Sequence, residues 1–563
     1  MDNLTQQLHQ SWQANPDKFI LHLLHNKLPD HSLTINDLMR GASAYTRMLA
    51  DAKIQPGEVV ILILQHGEDL LYAFWGAIMH GAIPSIMPFL TEKLSPEHYR
   101  RSLTSLFQVT APAAVITYQE FVHEVELAVK DNLSVRCVIV SNQVEHVEEV
   151  IFEGVGGLDR QPEDIVLLQH SSGTTGLQKG VALSHQAVFN QLESYSKALQ
   201  LNSSDVIVSW LPLYHDMGLI AGFILPIICS IPLALISPFD WVRAPHRMFQ
   251  AVSNYKGTLT WLPNFAYNFC AQKVRQREME NVDLSSWRAV INCSEPMYLS
   301  SHQAFTRRFQ PYGLRESALA TCYAMAENVF AVSQGGIGSP ISIDRINQNA
   351  YFSERVARPA KDGEASIAMV SAGHPIQNTR LCILGEDRLE LPERTIGEIA
   401  ILSDCMLKEY YHRPDVTQQS FHQGWYLTGD LGYLADGEVF ITGRKKDLII
   451  VGGKNIYPQD LEYLASEVKG VHAGRVAAFG IFDQDAGTEE VVIVAELDEL
   501  SLDEETIFAI SDEIRQKVNQ GSDIALRVVK LVDRGWLLKT SSGKVARSAN
   551  RDKYLAEFFS EDN

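Results

Sequence analysis

The chain alternates between short, almost unbroken apolar runs and longer stretches whose apolar residues recur at helical spacing. The runs at 59–64, 114–118, 137–140, 165–168, 206–211 and 290–293 show no strict polar alternation. A strand that is apolar on both faces must be covered on both, as parallel strands flanked by helices are. The stretch 186–199 carries the helical spacing instead. Together they predict an α/β fold with parallel sheets.

After Gly373 the pattern changes. Short runs at 380–384, 398–402 and 439–442, punctuated by turns, predict antiparallel β structure. Gly443 then introduces the charged Arg444-Lys445-Lys446-Asp447, and a smaller α/β pattern follows, with strands at 476–481 and 491–497 and a helix at 504–520. The domain boundary is placed at 444–447. Upstream, residues 344–361 (DRINQNAYFSERVARPAK) are polar and lack a core pattern, so they read as an inserted surface element.

One run stands apart. Residues 219–236 carry no charge, a length just sufficient to cross a bilayer. Pro226 and Pro232 interrupt it, Ser230 adds a polar group, and no Lys/Arg cluster or aromatic belt flanks it. The expectation is a buried helix and strand, with no membrane span.

Composition narrows the function. At 563 residues and ~150 per domain, three or four lobes are expected. Hydrophobic (46%) and charged (21%) fractions are those of an ordinary globular protein, which excludes disordered and fibrous classes. Lys+Arg 48 against Asp+Glu 68 gives a net charge of −20, a poor basis for holding nucleic acid or an anionic membrane. Cysteines 137, 229, 270, 293, 322, 382 and 405 are odd in number and form no Cys-x-x-Cys pair. That excludes a zinc ribbon, argues against a disulfide framework and fits a reducing cytoplasm. The opening MDNLTQQLHQ has no basic region followed by an apolar core, so no signal peptide is expected. Against this acidic background, Arg527, Lys530, Arg534, Lys539, Lys544, Arg547, Arg551 and Lys553 face only Asp533 and Asp552, a local positive surface that is either a solvated face or a docking place.

The most informative string is Gln169-His170-Ser171-Ser172-Gly173-Thr174-Thr175-Gly176-Leu177-Gln178-Lys179-Gly180, following the apolar run 165–168. Three glycines let backbone N–H groups approach an anion, four hydroxyls add donors, and Lys179 supplies a point charge. This is chemistry for holding a polyphosphate. A P-loop ATPase is excluded, because Gln178 precedes the lysine and Gly180 follows it where that loop needs G-K-[ST].

From Ser171 to Arg547 the sequence resembles, motif by motif and in order, the adenylate-forming superfamily of acyl-CoA synthetases, peptide-synthetase adenylation domains and luciferases, and is most similar to its fatty acyl-AMP ligases. The phosphate loop matches with Gln178 where proline is usual. Trp210-Leu211-Pro212-Leu213-Tyr214-His215-Asp216-Met217-Gly218 resembles the segment whose histidine, here His215, lies beside the acyl pocket. Asn292-Cys293-Ser294-Glu295-Pro296 resembles the adenine-side loop, although Cys293 stands where glycine is common. Tyr323-Ala324-Met325-Ala326-Glu327 resembles the motif whose tyrosine flanks adenine and whose glutamate helps hold Mg²⁺. Ala324 there replaces the usual glycine, and Ala326 a frequent hydroxyl residue. Gly424-Trp425-Tyr426-Leu427-Thr428-Gly429-Asp430 resembles the segment whose aspartate binds ribose. Gly443 to Asp447 resembles the hinge, with Arg444 as a ribose contact and Lys446 as the pivot. Thr540-Ser541-Ser542-Gly543-Lys544 resembles the terminal motif bearing the catalytic lysine.

The resemblance implies a large domain (1–443) of two parallel α/β subdomains plus a small β-barrel-like one, a hinge (444–447) and a smaller mobile α/β lid (448–563). It implies ATP and Mg²⁺ as cofactors, with nucleotide contacts from Ser171, Ser172, Gly173, Thr174, Thr175, Gly176, Lys179, Ser294, Glu295, Pro296, Tyr323, Ala324, Met325, Ala326, Asp430, Ile441 and Arg444. The metal falls to Glu327 and Thr174, and catalysis to Lys544 with His215. The implied reaction is activation of a fatty or other hydrophobic carboxylic acid to an acyl-adenylate, followed by transfer to the phosphopantetheine thiol of a carrier protein in trans, since no carrier pattern follows Lys553. The 210–220 string, the 344–361 insertion and Tyr457-Pro458-Gln459-Asp460 favour the fatty acyl-AMP ligase branch. Gly452-Gly453-Lys454-Asn455 lies closer to the CoA-ligase version, so free CoA stays the alternative acceptor. A non-catalytic nucleotide-binding regulator of the same fold is a third reading, opposed by Lys544, Glu327 and Asp430.

Overall fold

The computed structural model describes residues 3–89, 96–130, 132–171, 179–451, 454–483, 488–499, 503–522, 524, 526–540 and 543–558. Its centre is a nine-stranded sheet in the order His374–Pro375, Ala331–Gly335, Leu319–Ala324, Ala289–Cys293, Leu259–Leu262, Ile207–Ser209, Leu233–Ile236, Phe19–Leu24, His31–Thr34. From Leu319–Ala324 to Phe19–Leu24 all neighbours are parallel. A second parallel sheet runs Ile83–Ile86, Val59–Ile63, Ala114–Thr117, Cys137–Val140. Every residue of Val59–Ile63 is buried, as its unbroken apolar run requires.

The run at 165–168 is the exception. Ile165–Ser171 pairs antiparallel with Lys179–Ser184 in a three-stranded sheet completed by Glu409–Tyr410. The run is apolar because each of its faces meets a different core: Leu167 belongs to the main cluster and Leu168 to the cluster around the second parallel sheet. Burial on both faces, not parallel pairing, is what the pattern encodes.

Residues 219–236 form the end of a π-helix (Met217–Ile224), the helix Leu225–Ile228 and the strand Leu233–Ile236, all within the main core. Among the described residues no helix is long and apolar enough to cross a membrane. After Gly373 the strands are antiparallel, with Thr379–Leu384, Gly397–Ser403, Trp425–Ala435, Phe421–His422 and Glu438–Arg444 in one sheet. Beyond Asp447 the described strands pair only among themselves: Ile449–Val451 with Lys454–Ile456, Val471–Asp483 antiparallel with Thr488–Leu497, and Thr488–Leu497 in parallel with Val528–Val532.

The 344–361 segment is not a surface element. The hairpin Ile343–Asn347/Ser366–Val370 carries a π-helical turn, Ala350–Glu354, and buries Ile346, Tyr351 and Phe352 in the same cluster as Tyr457, Leu461 and Ala465 of the small lobe. The Tyr351 ring lies 5.2 Å from that of Tyr457, and its hydroxyl donates to Asp460 Oδ2 at 3.4 Å. The Gln348 amide donates to the Gly521 carbonyl at 3.1 Å. The insertion therefore grips the small lobe.

Burial pushes the Asp460 carboxyl up to about 7; Glu462 adds to the shift, while the Tyr351 hydroxyl and Arg547 oppose it. An unfolded aspartate loses its proton near 3.8. Between that pH and about 7 the folded chain holds the extra proton, so this group's contribution to stability declines as the pH rises through that window. Asp460→Asn is accordingly expected to raise the melting temperature relative to the parent more at pH 8 than at pH 5. Equal differences at the two pH values would contradict this.

Candidate functional site

Four parallel strands, Ile207–Ser209, Leu259–Leu262, Ala289–Cys293 and Leu319–Ala324, end at one edge of the main sheet. The segments that leave them form a crevice at the carboxyl ends of the strands, the place where open α/β sheets bind ligands. Ser294 turns the chain away with φ +68°, and the Phe265 N–H donates to Glu295 Oε2 at 2.9 Å, tying two of these loops together. A Cβ at Gly218 would collide with the Pro212 carbonyl, so the 212–218 loop closes tightly on itself.

Two adjacent antiparallel strands put Asp430 directly opposite Arg444. The Tyr323 hydroxyl donates to Asp430 Oδ2 at 2.7 Å, and Arg444 Nε lies 3.1 Å from Oδ1. The Asp430 amide donates to Thr428 Oγ1 at 3.0 Å, which fixes the carboxylate's backbone. Asp430 is 8% exposed, while Arg444 reaches solvent. Each carboxylate oxygen keeps a lone pair for a vicinal diol. Burial, and then the Asp430 charge, holds the Tyr323 phenol well above its usual range. Ile441 is half-buried on the same strand as Arg444.

Lys544 reaches this crevice from the small lobe. Its carbonyl accepts from the Thr540 amide at 2.8 Å, and the Gly543 amide donates to the Thr540 carbonyl at 2.9 Å, with Gly543 at φ +83°, a conformation that glycine adopts without strain. Burial and then the neighbouring Arg444 hold the Lys544 ammonium below the usual lysine range, while Glu295, Asp216 and Asp430 oppose that shift. Reciprocally, burial raises the Glu295 and Asp216 carboxyls, and Lys544 opposes both shifts. The structure thus gathers Lys544, Glu295, Asp430, Arg444 and Tyr323 from separate parts of the chain into one electrostatic unit.

The loop residues Ser172, Gly173, Thr174, Thr175 and Gly176 lie outside the described residues, and Ser171 is described only as the end of its strand. The chain emerges from the loop at Lys179, whose ammonium stands 5.0 Å from the centre of the Tyr410 ring. Glu327 lies in the short turn Ala326–Asn328, and its Oε1 accepts from the Tyr410 hydroxyl at 2.8 Å. That turn closes on Val329 at φ +61°, with the Phe330 amide donating to the Asn328 carbonyl at 2.6 Å. A β-branched residue rarely adopts this conformation, so the turn holding Glu327 is strained. Among the described residues no three His, Cys, Asp or Glu side chains cluster as a metal site.

His215 is half-buried at the entry to the π-helix Met217–Ile224, its ring 4.7 Å from that of Tyr214. Its neighbour Asp216 was not singled out by sequence reasoning; its carboxylate accepts from the Met217 amide at 2.8 Å and shares the field of Lys544 and Glu327. Lys446 sits at the lobe junction, where burial and Arg444 lower its ammonium pKa. Around it, the Gln459 side chain donates to the Thr442 carbonyl, Tyr298 donates to the Gln459 carbonyl at 3.0 Å, and the Tyr298 and Tyr463 rings stack at 4.3 Å.

The profile of the AMP-binding enzyme family matches residues 8–411. The medium-chain-fatty-acid–[acyl-carrier-protein] ligase JamA of Moorena producens is 30% identical over 549 residues, covering 93% of this chain and 90% of that protein. The long-chain-fatty-acid–AMP ligase FadD26 of Mycobacterium bovis is 28% identical, covering 90% and 88%. A structure from a study of fatty acyl-adenylate ligases of E. coli and L. pneumophila superposes with a TM-score of 0.89 at 25% identity, covering 100% of this chain and 99% of that one. The L. pneumophila fatty acyl-adenylate ligase in complex with acyl adenylate and pyrophosphate superposes at 0.74 with 27% identity, covering 99% and 96%.

Proposed function

The chain belongs to the AMP-binding enzyme family, and from that premise we propose that it activates a fatty or other hydrophobic carboxylic acid with ATP and passes the acyl group to the phosphopantetheine thiol of an acyl carrier protein. The observation that supports this reading is the Tyr323–Asp430–Arg444 unit, with the Lys544 ammonium of the small lobe buried and under the influence of Arg444, Glu295, Asp216 and Asp430.

Activation requires a carboxylate oxygen to bond to the α-phosphorus of ATP while the bond from that phosphorus to the pyrophosphate oxygen breaks. Two anions must meet, and fixed positive charge lowers that barrier. Lys544 reaches the acid's carboxylate and the α-phosphate together, on a flexible stem suited to a group that arrives with a moving lobe. Asp430 and Arg444 hold the ribose. Ser294, Glu295, Pro296, Tyr323, Ala324, Met325 and Ala326 border the adenine, with Ile441 against the nucleotide. The loop from Ser171 to Gly176, with Lys179, cradles the phosphates. A single carboxylate at Glu327 suits Mg²⁺, which takes one or two carboxylates and fills its remaining positions with phosphate oxygens and water. Glu327 and Thr174 would hold the ion, which neutralises phosphate charge. His215 gates the acyl channel.

Residues 1–443 form the nucleotide and acyl domain, 444–447 the hinge pivoting at Lys446, and 448–563 the mobile lid. The grip of Tyr351 and Phe352 on the lid opposes its rotation and supports a carrier protein over free CoA. The seven cysteines are free thiols, in keeping with the cytoplasm. The test is acid-dependent ATP–pyrophosphate exchange across a panel of acids, followed by offering free CoA and a phosphopantetheinylated carrier. Exchange with hydrophobic acids and acyl transfer to the carrier are expected. Rapid acyl-CoA formation would move the acceptor to CoA, and exchange with no acid would overturn the proposal.

A further inference from the structure

The strand Glu409–Tyr410 is held at both ends by the chain leaving the phosphate loop: the Lys408 amide donates to the Ala182 carbonyl at 2.9 Å and the Tyr411 amide to the Gly180 carbonyl at 2.8 Å. Just before it, the Leu407 amide donates to the Glu327 carbonyl at 2.7 Å. Residues 407–411 thus clamp the exit of the phosphate loop to the turn that carries Glu327.

Tyr410 repeats this junction with its side chain. It is 3% exposed; its hydroxyl donates to Glu327 Oε1 at 2.8 Å and its ring faces the Lys179 ammonium. A phenol has one proton, and Tyr410 gives its own to the carboxylate. The Tyr426 hydroxyl, 2.8 Å away, therefore donates to Tyr410. The resulting chain, Tyr426 to Tyr410 to Glu327, aligns its dipoles toward the carboxylate, and each bond strengthens the next. It fixes one oxygen of Glu327 and leaves the other for a ligand. The ring meanwhile gives Lys179 a cation–π platform, which limits where its ammonium rests.

We propose that Tyr410 is a positioning residue for the nucleotide, orienting Glu327 through its hydroxyl and Lys179 through its ring, so that one side chain sets both the metal-side and the phosphate-side contacts. This rests on the reading of Glu327 as the metal-binding carboxylate and Lys179 as a phosphate ligand. The experiment is calorimetric titration of the full-length protein with ATP, once with MgCl₂ and once with EDTA. It compares the parent, Tyr410→Phe, Tyr410→Leu, Glu327→Gln and the double variant Tyr410→Phe/Glu327→Gln, each first shown to melt as the parent does.

Tyr410→Phe is expected to weaken ATP binding about tenfold to a hundredfold in magnesium, the effect of losing a hydrogen bond to a charged group, and to leave binding in EDTA unchanged. Tyr410→Leu weakens binding in both media. In the Glu327→Gln background Tyr410→Phe adds nothing, because the hydroxyl acts through that carboxylate. Equal weakening by Tyr410→Phe in both media, no weakening at all, or full additivity with Glu327→Gln would overturn the positioning role while the reading of Glu327 stood. A Glu327→Gln variant with parental magnesium dependence would instead remove that reading and the proposal with it.

Discussion

Replacing Lys544 by alanine is expected to slow acyl-adenylate formation by at least about 10²–10³-fold, the usual consequence of removing a preorganised group aimed at developing charge, while ATP still binds. The asymmetry follows from where the groups are anchored. Asp430, Arg444, Tyr323 and Glu327, the proposed nucleotide contacts, are held in place by one another and by Tyr410 with no bond to the small lobe among these contacts. Lys544 comes from the terminal turn, and its field falls where Glu295, Asp216 and Asp430 converge. The cation that acts most strongly on it, Arg444, is already paired with Asp430. Single-turnover pyrophosphate release beside equilibrium ATP titration separates the two effects; near-parental release from the variant would remove Lys544 from the mechanism.

The second large effect is expected at Arg547, which ties Asp447 to Glu462 of the small lobe. Its guanidinium lies 2.7 Å from Asp447 Oδ2 and makes two further bonds of 2.7 Å to the two oxygens of Glu462, with all three side chains mostly buried. Arg547→Met leaves two buried carboxylates without a counter-charge, which destabilises by about 3–5 kcal/mol. The loss falls on the small lobe, so it is read locally: hydrogen exchange of peptides from 454–483 accelerates, while peptides from the nine-stranded sheet keep their protection. Unchanged exchange in the small lobe would show that the network contributes nothing there. Because Lys544 rides on the same lobe, adenylation falls as well.

The strand content was legible wherever burial on both faces imposed a continuous apolar run, as at Val59–Ile63 and Ala289–Cys293. The same rule misassigned the pairing of Ile165–Ser171, because a hairpin wedged between two cores produces the same pattern as a parallel strand. The burial of Tyr351 and Phe352 was not legible. Two adjacent aromatics in a π-helical turn create no period, and their partners lie about a hundred residues downstream in the small lobe. The partners of the basic tail were not legible either: Arg534 pairs with Asp498 and Arg547 with Asp447 and Glu462, all outside the segment, while Lys530 and Lys553 rest on the Phe558 and Trp536 rings.

At the site, the charged residues were readable because each sits in its own short string. Their joints were not. Tyr323 meets Asp430 across 107 positions and Tyr410 meets Glu327 across 83, distances over which no local pattern extends. Asp216 lay inside a recognised string, and its carboxylate beside His215 was the available signal.

In the proposed reaction a carboxylate oxygen of the acid becomes bonded to the α-phosphorus of ATP in the crevice that Lys544 serves. Supplying a hydrophobic acid labelled with ¹⁸O in its carboxylate, letting acyl transfer run to completion and weighing the released AMP tests that bond directly. AMP carrying a single labelled oxygen is expected, with pyrophosphate as the other product. Unlabelled AMP, or ADP and phosphate in its place, would contradict it.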